Sequence, residues 1–220
     1  MPDPHRIKSE LQALLSRPQY ASMFSHRNQF AKPGSTADTP AGIAERTADY
    51  LFKNNPLLDP VEILELRGPL ELYRAYDGGV RKGSAGTLGR SWFERSVAET
   101  IWQATARFEG DDRRKWYMEF LRTANFVLPE WNDMLQIAYM AVPAGASVVV
   151  ARGRGSWRAM LTPPGKSRPG GLPGIAAAGD VMSNAGMMPI HGTVQCVVPL
   201  FNDMWVNQIS RLSPRWPFIG

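Results

Sequence analysis

Hydrophobic periodicity changes along this chain, and the order of the changes restricts the fold more than any single motif does. In residues 7–15, Leu11, Leu14 and Leu15 recur at helical spacing, and residues 43–52 repeat that pattern. A further helix is expected over 59–66, where Asp59 can cap and Pro60 sits in the first turn without losing a needed N–H. Two more helical patterns follow. Residues 96–108 carry Val97, Ile101, Trp102, Thr105 and Phe108 on one face, and residues 112–126 carry Trp116, Tyr117, Phe120, Leu121 and Ala124. The second half turns to strand signals over 136–142, 147–151, 193–200 and 205–212. Pro143-Ala144-Gly145, between the first two of these, suggests a tight connection and a central hairpin. Helices ahead of strands, with no repeat of fixed period, imply an α+β fold: N-terminal helices packed on a twisted mixed or antiparallel sheet.

A chain of 220 residues with 44% hydrophobic and 20% charged content is large enough for one well-buried core and a small accessory segment. Lys32-Pro33-Gly34-Ser35-Thr36-Ala37-Asp38-Thr39-Pro40 has linker composition, so the chain divides into an N-terminal helix and linker arm, 1–40, and a main domain, 41–220. No run approaches the ~20 apolar residues that span a bilayer. The start, Met1-Pro2-Asp3-Pro4-His5-Arg6, lacks the apolar region of a secretory signal, so a cytoplasmic location is expected, with delivery to a target cell open only to a route that reads no cleavable signal.

The lone Cys196 excludes an internal disulfide framework, and its neighbours Val194, Val197 and Val198 mark it as a buried strand thiol rather than a nucleophile. His5, His26 and His191 show no paired ligand spacing, which argues against a zinc site. The formal charge is +5 with a pI near 9.6, yet the basic residues are dispersed. An anionic ligand such as a dinucleotide explains that excess as well as nucleic acid does.

Two short segments carry the strongest chemical signal. Leu72-Tyr73-Arg74-Ala75-Tyr76 alternates like a strand, and an arginine rooted there can grip a diphosphate with a fork of N–H donors. Gly89-Arg90-Ser91-Trp92-Phe93 reads as a second strand, with a small hydroxyl followed by two rings suited to amide hydrogen bonding and stacking. Between them, Asp77-Gly78-Gly79 marks a turn, and a loop with Arg81, Lys82, Gly83, Ser84 and Gly86 is either a phosphate-closing flap or an ordinary solvated connection.

In their order and content these segments resemble the opening of the ADP-ribosyltransferase family, in the arginine, serine, glutamate branch that includes bacterial and phage toxins and effectors. The resemblance covers the region from Leu70 to Gly220 loosely. It implies NAD as substrate and transfer of a single ADP-ribose to a macromolecular acceptor, a protein rather than a nucleic acid. It further implies that Arg74 clamps the phosphates, Ser91 shapes the nicotinamide-ribose site, and Trp92 or Phe93 stacks on the nicotinamide. Tyr73, Gly89 and Arg90 complete the cofactor-binding segments. The family's late glutamate, which stabilises positive charge at the anomeric carbon as nicotinamide leaves, is missing, because no Glu follows Glu130.

The resemblance puts Gln208, in Trp205-Val206-Asn207-Gln208-Ile209, at the position of that acid. An amide there keeps the ribose hydrogen bond and loses the charge, leaving a weak or inactive enzyme. Asp203 or Asp180 is the alternative source of a carboxylate. Val206, two residues before Gln208, gives no support to arginine as the acceptor. Pro189-Ile190-His191-Gly192-Thr193 reads as a bend into a strand and not as a relocated family motif. The rival expectation is a non-enzymatic partner-binding or assembly protein of a phage or effector system. It would grip its partner through the arm and the Pro/Gly-rich loop at 162–179. A nucleic-acid-binding role rests on charge alone.

Overall fold

Among the described residues, seven strands form one antiparallel sheet in the order β1-β5-β6-β3-β2-β4-β7. They are β1 (Leu57–Arg67), β2 (Leu70–Tyr76), β3 (Ser91–Glu94), β4 (Gln136–Val142), β5 (Ser147–Gly155), β6 (Val194–Val197) and β7 (Val206–Ile209). The computed structural model describes residues 3–26, 38–54, 57–76, 89–124, 136–155, 194–209 and 217. The expected linker between residues 27 and 37, the turn and basic loop of 77–88, the loop at 162–179, Asp180 and the His191 segment lie outside the described residues.

The helices are α1 (Pro4–Leu15), α2 (Pro40–Asn54), α3 (Arg95–Ala104) and α4 (Gly110–Ala124), with a 3₁₀ segment at Pro18–Ser25. α1 begins where Asp3 accepts the His5 N–H at 2.9 Å, with Pro4 in the first turn. Its buried stripe, Ile7, Leu11 and Leu15, joins Tyr20, Met23 and the α2 residues Ile43, Ala44, Ala48 and Leu51 in one core with Val61, Val149, Ala151 and Val197. Within the stretch read as an N-terminal arm, the apolar face of residues 7–23 thus packs in the same core as α2 and the sheet.

On the other half of the sheet, α3 and α4 cover Tyr73, Ala75, Phe93, Ile137 and Ile209 with Ala98, Ile101, Tyr117, Phe120 and Leu121. Alternation sends the intervening residues the opposite way. Leu72, Tyr76, Trp92, Ala138, Met140, Val142, Val148, Val150, Cys196 and Val198 form a third cluster. It draws on both halves of the sheet, so the halves fold toward each other with the helix pairs outside.

Two expectations fail here. Residues 59–66 form strand β1, not a helix: Val61 and Ile63 pack under α1 and α2 while Leu64 and Leu66 join the third cluster, so both faces of the strand are covered. Pro60 falls where the β1–β5 register shifts between Leu58 and Glu62, an irregularity that spares a ladder bond. The segments 136–142 and 147–151 are strands but not a hairpin, since β4 pairs with β2 and β7 while β5 pairs with β1 and β6. Gly145, at φ 82, turns the chain from one half of the sheet to the other.

The helical N-terminal layer is pinned by one carboxylate. Glu65 accepts from Tyr20 Oη at 2.7 Å, Ser147 Oγ at 3.0 Å, Gln19 Nε2 at 3.0 Å and Arg17 Nη1 at 2.9 Å. The Tyr20 hydrogen bond, followed by those of Gln19 and Ser147, holds the Glu65 carboxyl below its usual range against the opposing effect of burial. Burial pushes Tyr20 up to about 12. Glu65 therefore contributes stability above its unfolded-state value, lost as pH falls through the folded one. Tyr20 contributes below the ordinary phenol value of 10.0, lost as pH rises toward 12. Glu65→Gln and Tyr20→Phe are each expected to lower the unfolding free energy by roughly 1–3 kcal/mol in urea titrations. Glu65→Gln should flatten the acid limb of the stability profile and Tyr20→Phe the alkaline limb; an unchanged limb would assign it to other groups.

Candidate functional site

β2 ends and β3 begins at the same rim of the sheet. Leu72 pairs with Glu94 and Tyr73 with Phe93, which brings Arg74 level with Trp92. The Arg74 side chain lies over the start of β3, where Nη1 donates to the Ser91 carbonyl at 3.1 Å. Its guanidinium fills the place that a Cβ on Gly89 would take, so glycine is required to keep that seat open. Burial pushes Arg74 down to about 10, with Tyr50 opposing the fall and Arg90 adding to it. It stays cationic at neutral pH. Arg90 lies over the Tyr50 ring of α2, 4.6 Å from its centroid, and its carbonyl accepts the Val198 N–H at 2.9 Å.

The structure thus brings Arg74, Gly89, Arg90 and Ser91 together, although the group that meets Arg74 is the Ser91 carbonyl. The Ser91 side chain shares a face with its partner Val197, beneath the helices. Trp92, Phe93 and Tyr73 have a different place from the one expected of them. Their exposures are 1%, 4% and 0%, which leaves no ring face to a ligand. Trp92 Nε1 donates to the Gly89 carbonyl at 2.8 Å and its ring meets Phe201 edge-on at 5.8 Å. Phe93 stacks on Tyr73 at 6.4 Å, and Tyr73 Oη donates to Glu71 at 2.7 Å. These rings brace the site from behind.

Gln208 is exposed on the edge strand β7. It pairs with Ala138, which pairs with Arg74, so it stands two strands from the arginine, roughly 10 Å in strand spacings, on the side away from Ser91. The reserve acid Asp203 is occupied: its Oδ1 meets His26 Nδ1 at 2.7 Å and ties the first helical layer to the segment before β7.

The residue that sequence reading missed is Gln195. It is 6% exposed, and its Nε2 makes no hydrogen bond. β6 runs directly beside β3, and the pairing of Ser91 with Val197 makes Gln195 the diagonal neighbour of Ser91 on one face, at a typical separation of about 7–8 Å. Its partner on β5 is Gly153, which puts no side chain on the other flank. α1 and α2 cover β5 and β6, and α3 and α4 cover β3 and β2, so this point lies on the border between the two covered halves of the sheet. A signal for it did exist in the sequence: Gln195 is the one amide in the apolar run from Val194 to Val198, where a polar group needs a partner.

Cys196, beside it, is buried and unpaired, and burial pushes its thiol up to about 12, which suits packing and not nucleophilic attack. Among the described residues no group of three His, Cys, Asp or Glu could hold a metal ion, and no helix is long and apolar enough to cross a membrane. A groove of about 230 Å³ runs along α3, lined by Val97, Ile101, Ala104, Phe120, Val194 and the hydroxyl residues Ser96 and Thr100. It offers no charge to a phosphate. No family model, curated protein or solved structure matches the chain.

Gly89→Ala is the cleanest probe of the rim. The added methyl meets the far end of a flexible side chain, so the fold should survive within about 1 kcal/mol while the Arg74 guanidinium is displaced. Calorimetry with inorganic diphosphate should then show binding lost at unchanged thermal stability. Binding equal to that of the wild type would remove the Arg74 seat from the site.

Proposed function

We propose that the rim of β2, β3 and β6 binds NAD and that the chain is an ADP-ribosyltransferase-like enzyme acting on a protein acceptor, with Gln195 in the role first expected of Gln208. One observation carries this reading. A desolvated guanidinium and a buried amide without a partner stand on either side of the β3 segment that bears Ser91. A buried amide left unsatisfied is costly, and a ligand that completed it would remove that cost.

In the reaction the bond between ribose and nicotinamide breaks, nicotinamide leaves with the bonding pair, and the acceptor nucleophile closes on the ribose carbon and loses its proton. Arg74 grips a phosphate through its paired donors. Ser91 and Gln195, on one face of neighbouring strands, hydrogen-bond the ribose and the nicotinamide amide. Gln195 orients the sugar but carries no charge to stabilise the positive charge developing on it, so slow turnover is expected. The burial of Gln195 keeps water from that side of the site.

Isothermal titration with NAD, paired with an assay of nicotinamide release, tests the reading. Arg74→Ala is expected to abolish binding. Gln195→Ala should cut nicotinamide release by roughly 5- to 100-fold, the loss of a hydrogen bond or two in a desolvated site, while Gln208→Ala leaves it unchanged. If the wild type shows neither binding nor release, the transferase reading fails and the partner-binding role takes its place.

A further inference from the structure

We propose that the groove along α3 is a docking site for a partner polypeptide, one large apolar side chain of which, a leucine or a phenylalanine, fills it. The groove shares no residue with the rim that carries Arg74 and Ser91.

Size and lining select the occupant. The groove holds about 230 Å³. Sites that enclose a whole cofactor or drug-sized molecule run to roughly 300–1,000 Å³, so this one suits a single side chain. Its floor is Ile101 and Phe120, which are 4% and 7% exposed, and Val97 and Val194 are half-buried beside them. Ala104, exposed at the end of α3, presents only a methyl group and leaves that end open. Among the described residues no charged side chain lines it. An apolar hollow reached from the surface is the form of pocket that anchors the central side chain of a protein–protein contact.

A hydrocarbon needs only these walls, and the lip of the groove adds what a polypeptide uses. Ser96 and Thr100 line it one helical turn apart, both exposed. Thr100 Oγ1 donates to the Ser96 carbonyl at 2.8 Å, so its proton is committed and its lone pairs are left to accept. The Ser96 hydroxyl can donate. The lip therefore offers one acceptor and one donor side by side. A residue in an extended segment turns its own N–H and C=O to the same side, as it does when it exchanges both bonds with a neighbouring strand. Both groups are met at this lip while an apolar side chain of the segment enters the hollow. Only the identification of that polypeptide as the acceptor of ADP-ribose rests on the function proposed above; the groove itself stands without it.

Magnetic resonance titrations of the full chain with the N-acetyl amides of leucine, phenylalanine and alanine, and with toluene, test the proposal. The leucine and phenylalanine amides are expected to shift the backbone signals of Thr100, Ala104 and Val194 saturably. They should bind roughly ten- to hundredfold more tightly than the alanine amide, the worth of burying one large apolar side chain. Ala104→Leu fills the open end from an exposed position and should weaken both by roughly tenfold or more. Thr100→Val keeps the size and removes the hydroxyl; it should weaken the leucine amide by roughly two- to tenfold and leave toluene unchanged. That variant secures the test if Ala104→Leu does not fold. Equal affinity for the alanine and leucine amides would overturn the docking site, as would leucine amide binding unchanged in both variants. Binding of toluene with none of the amides, the mark of a plain hydrocarbon cavity, would overturn it too. Leucine amide bound by a protein that takes up no NAD would sustain the groove and leave the transferase reading to fail alone. Binding of NAD without leucine amide would do the reverse.

Discussion

The crossing of two chain corners decides the shape of the rest of the molecule. Between β1 and β2 the chain turns at Gly68 and the cis peptide to Pro69; between β4 and β5 it turns at Pro143 through Ala146. The Gly68 N–H donates to the Ala146 carbonyl at 2.9 Å, and a Cβ on Gly68 would collide with the Pro143 carbonyl oxygen. Backbone passes against backbone there, and only glycine allows it. Because both corners carry the chain from one half of the sheet to the other, the two strands joined at each corner do not pair. β1 finds β5, β2 finds β4, and the apolar faces left over become the core between the halves.

That arrangement also creates the rim. β3 is the hinge of the sheet, paired with β6 on one side and β2 on the other. Its start lies at the rim of the sheet, where Gly89, Arg90 and Ser91 meet the end of β2. Trp92 and Phe93 hold this start in place from opposite faces, Trp92 against Phe201 in the inner core and Phe93 against Tyr73 under the second helical layer. A buried arginine in such a place is unfavourable to stability, since the charge has left water. Groups so placed cluster at functional sites, and the fixed seat of Arg74 is one support for the site proposed here.

Much of the architecture was legible because helices are local. Leu11 and Leu15, or Phe120 and Leu121, announce a buried face within a few residues of sequence, and the four helices lie within a few residues of where their periodicity puts them. β1 was misread for a physical reason. A strand covered on both faces shows no alternation, and Asp59-Pro60 ahead of it has the look of a helix start although it marks an irregularity in the ladder. The rings of Trp92 and Phe93 posed the opposite problem. Aromatic residues beside a hydroxyl read equally well as a ligand wall or as core, and only burial separates the two.

By itself the sequence determined the α+β class, the buried thiol of Cys196 and two strand segments, one carrying Arg74 and one starting at Ser91, because each rests on residues near one another in the chain. The tertiary structure alone decided which strands are neighbours. Strand pairing is a matter of distant backbone groups finding each other, and nothing in a strand's own residues names its partner. The separate places of the two glutamines follow from it. Gln208 falls on an exposed edge beyond β4, and Gln195 falls beside Ser91 in a water-poor seam, its amide without a partner.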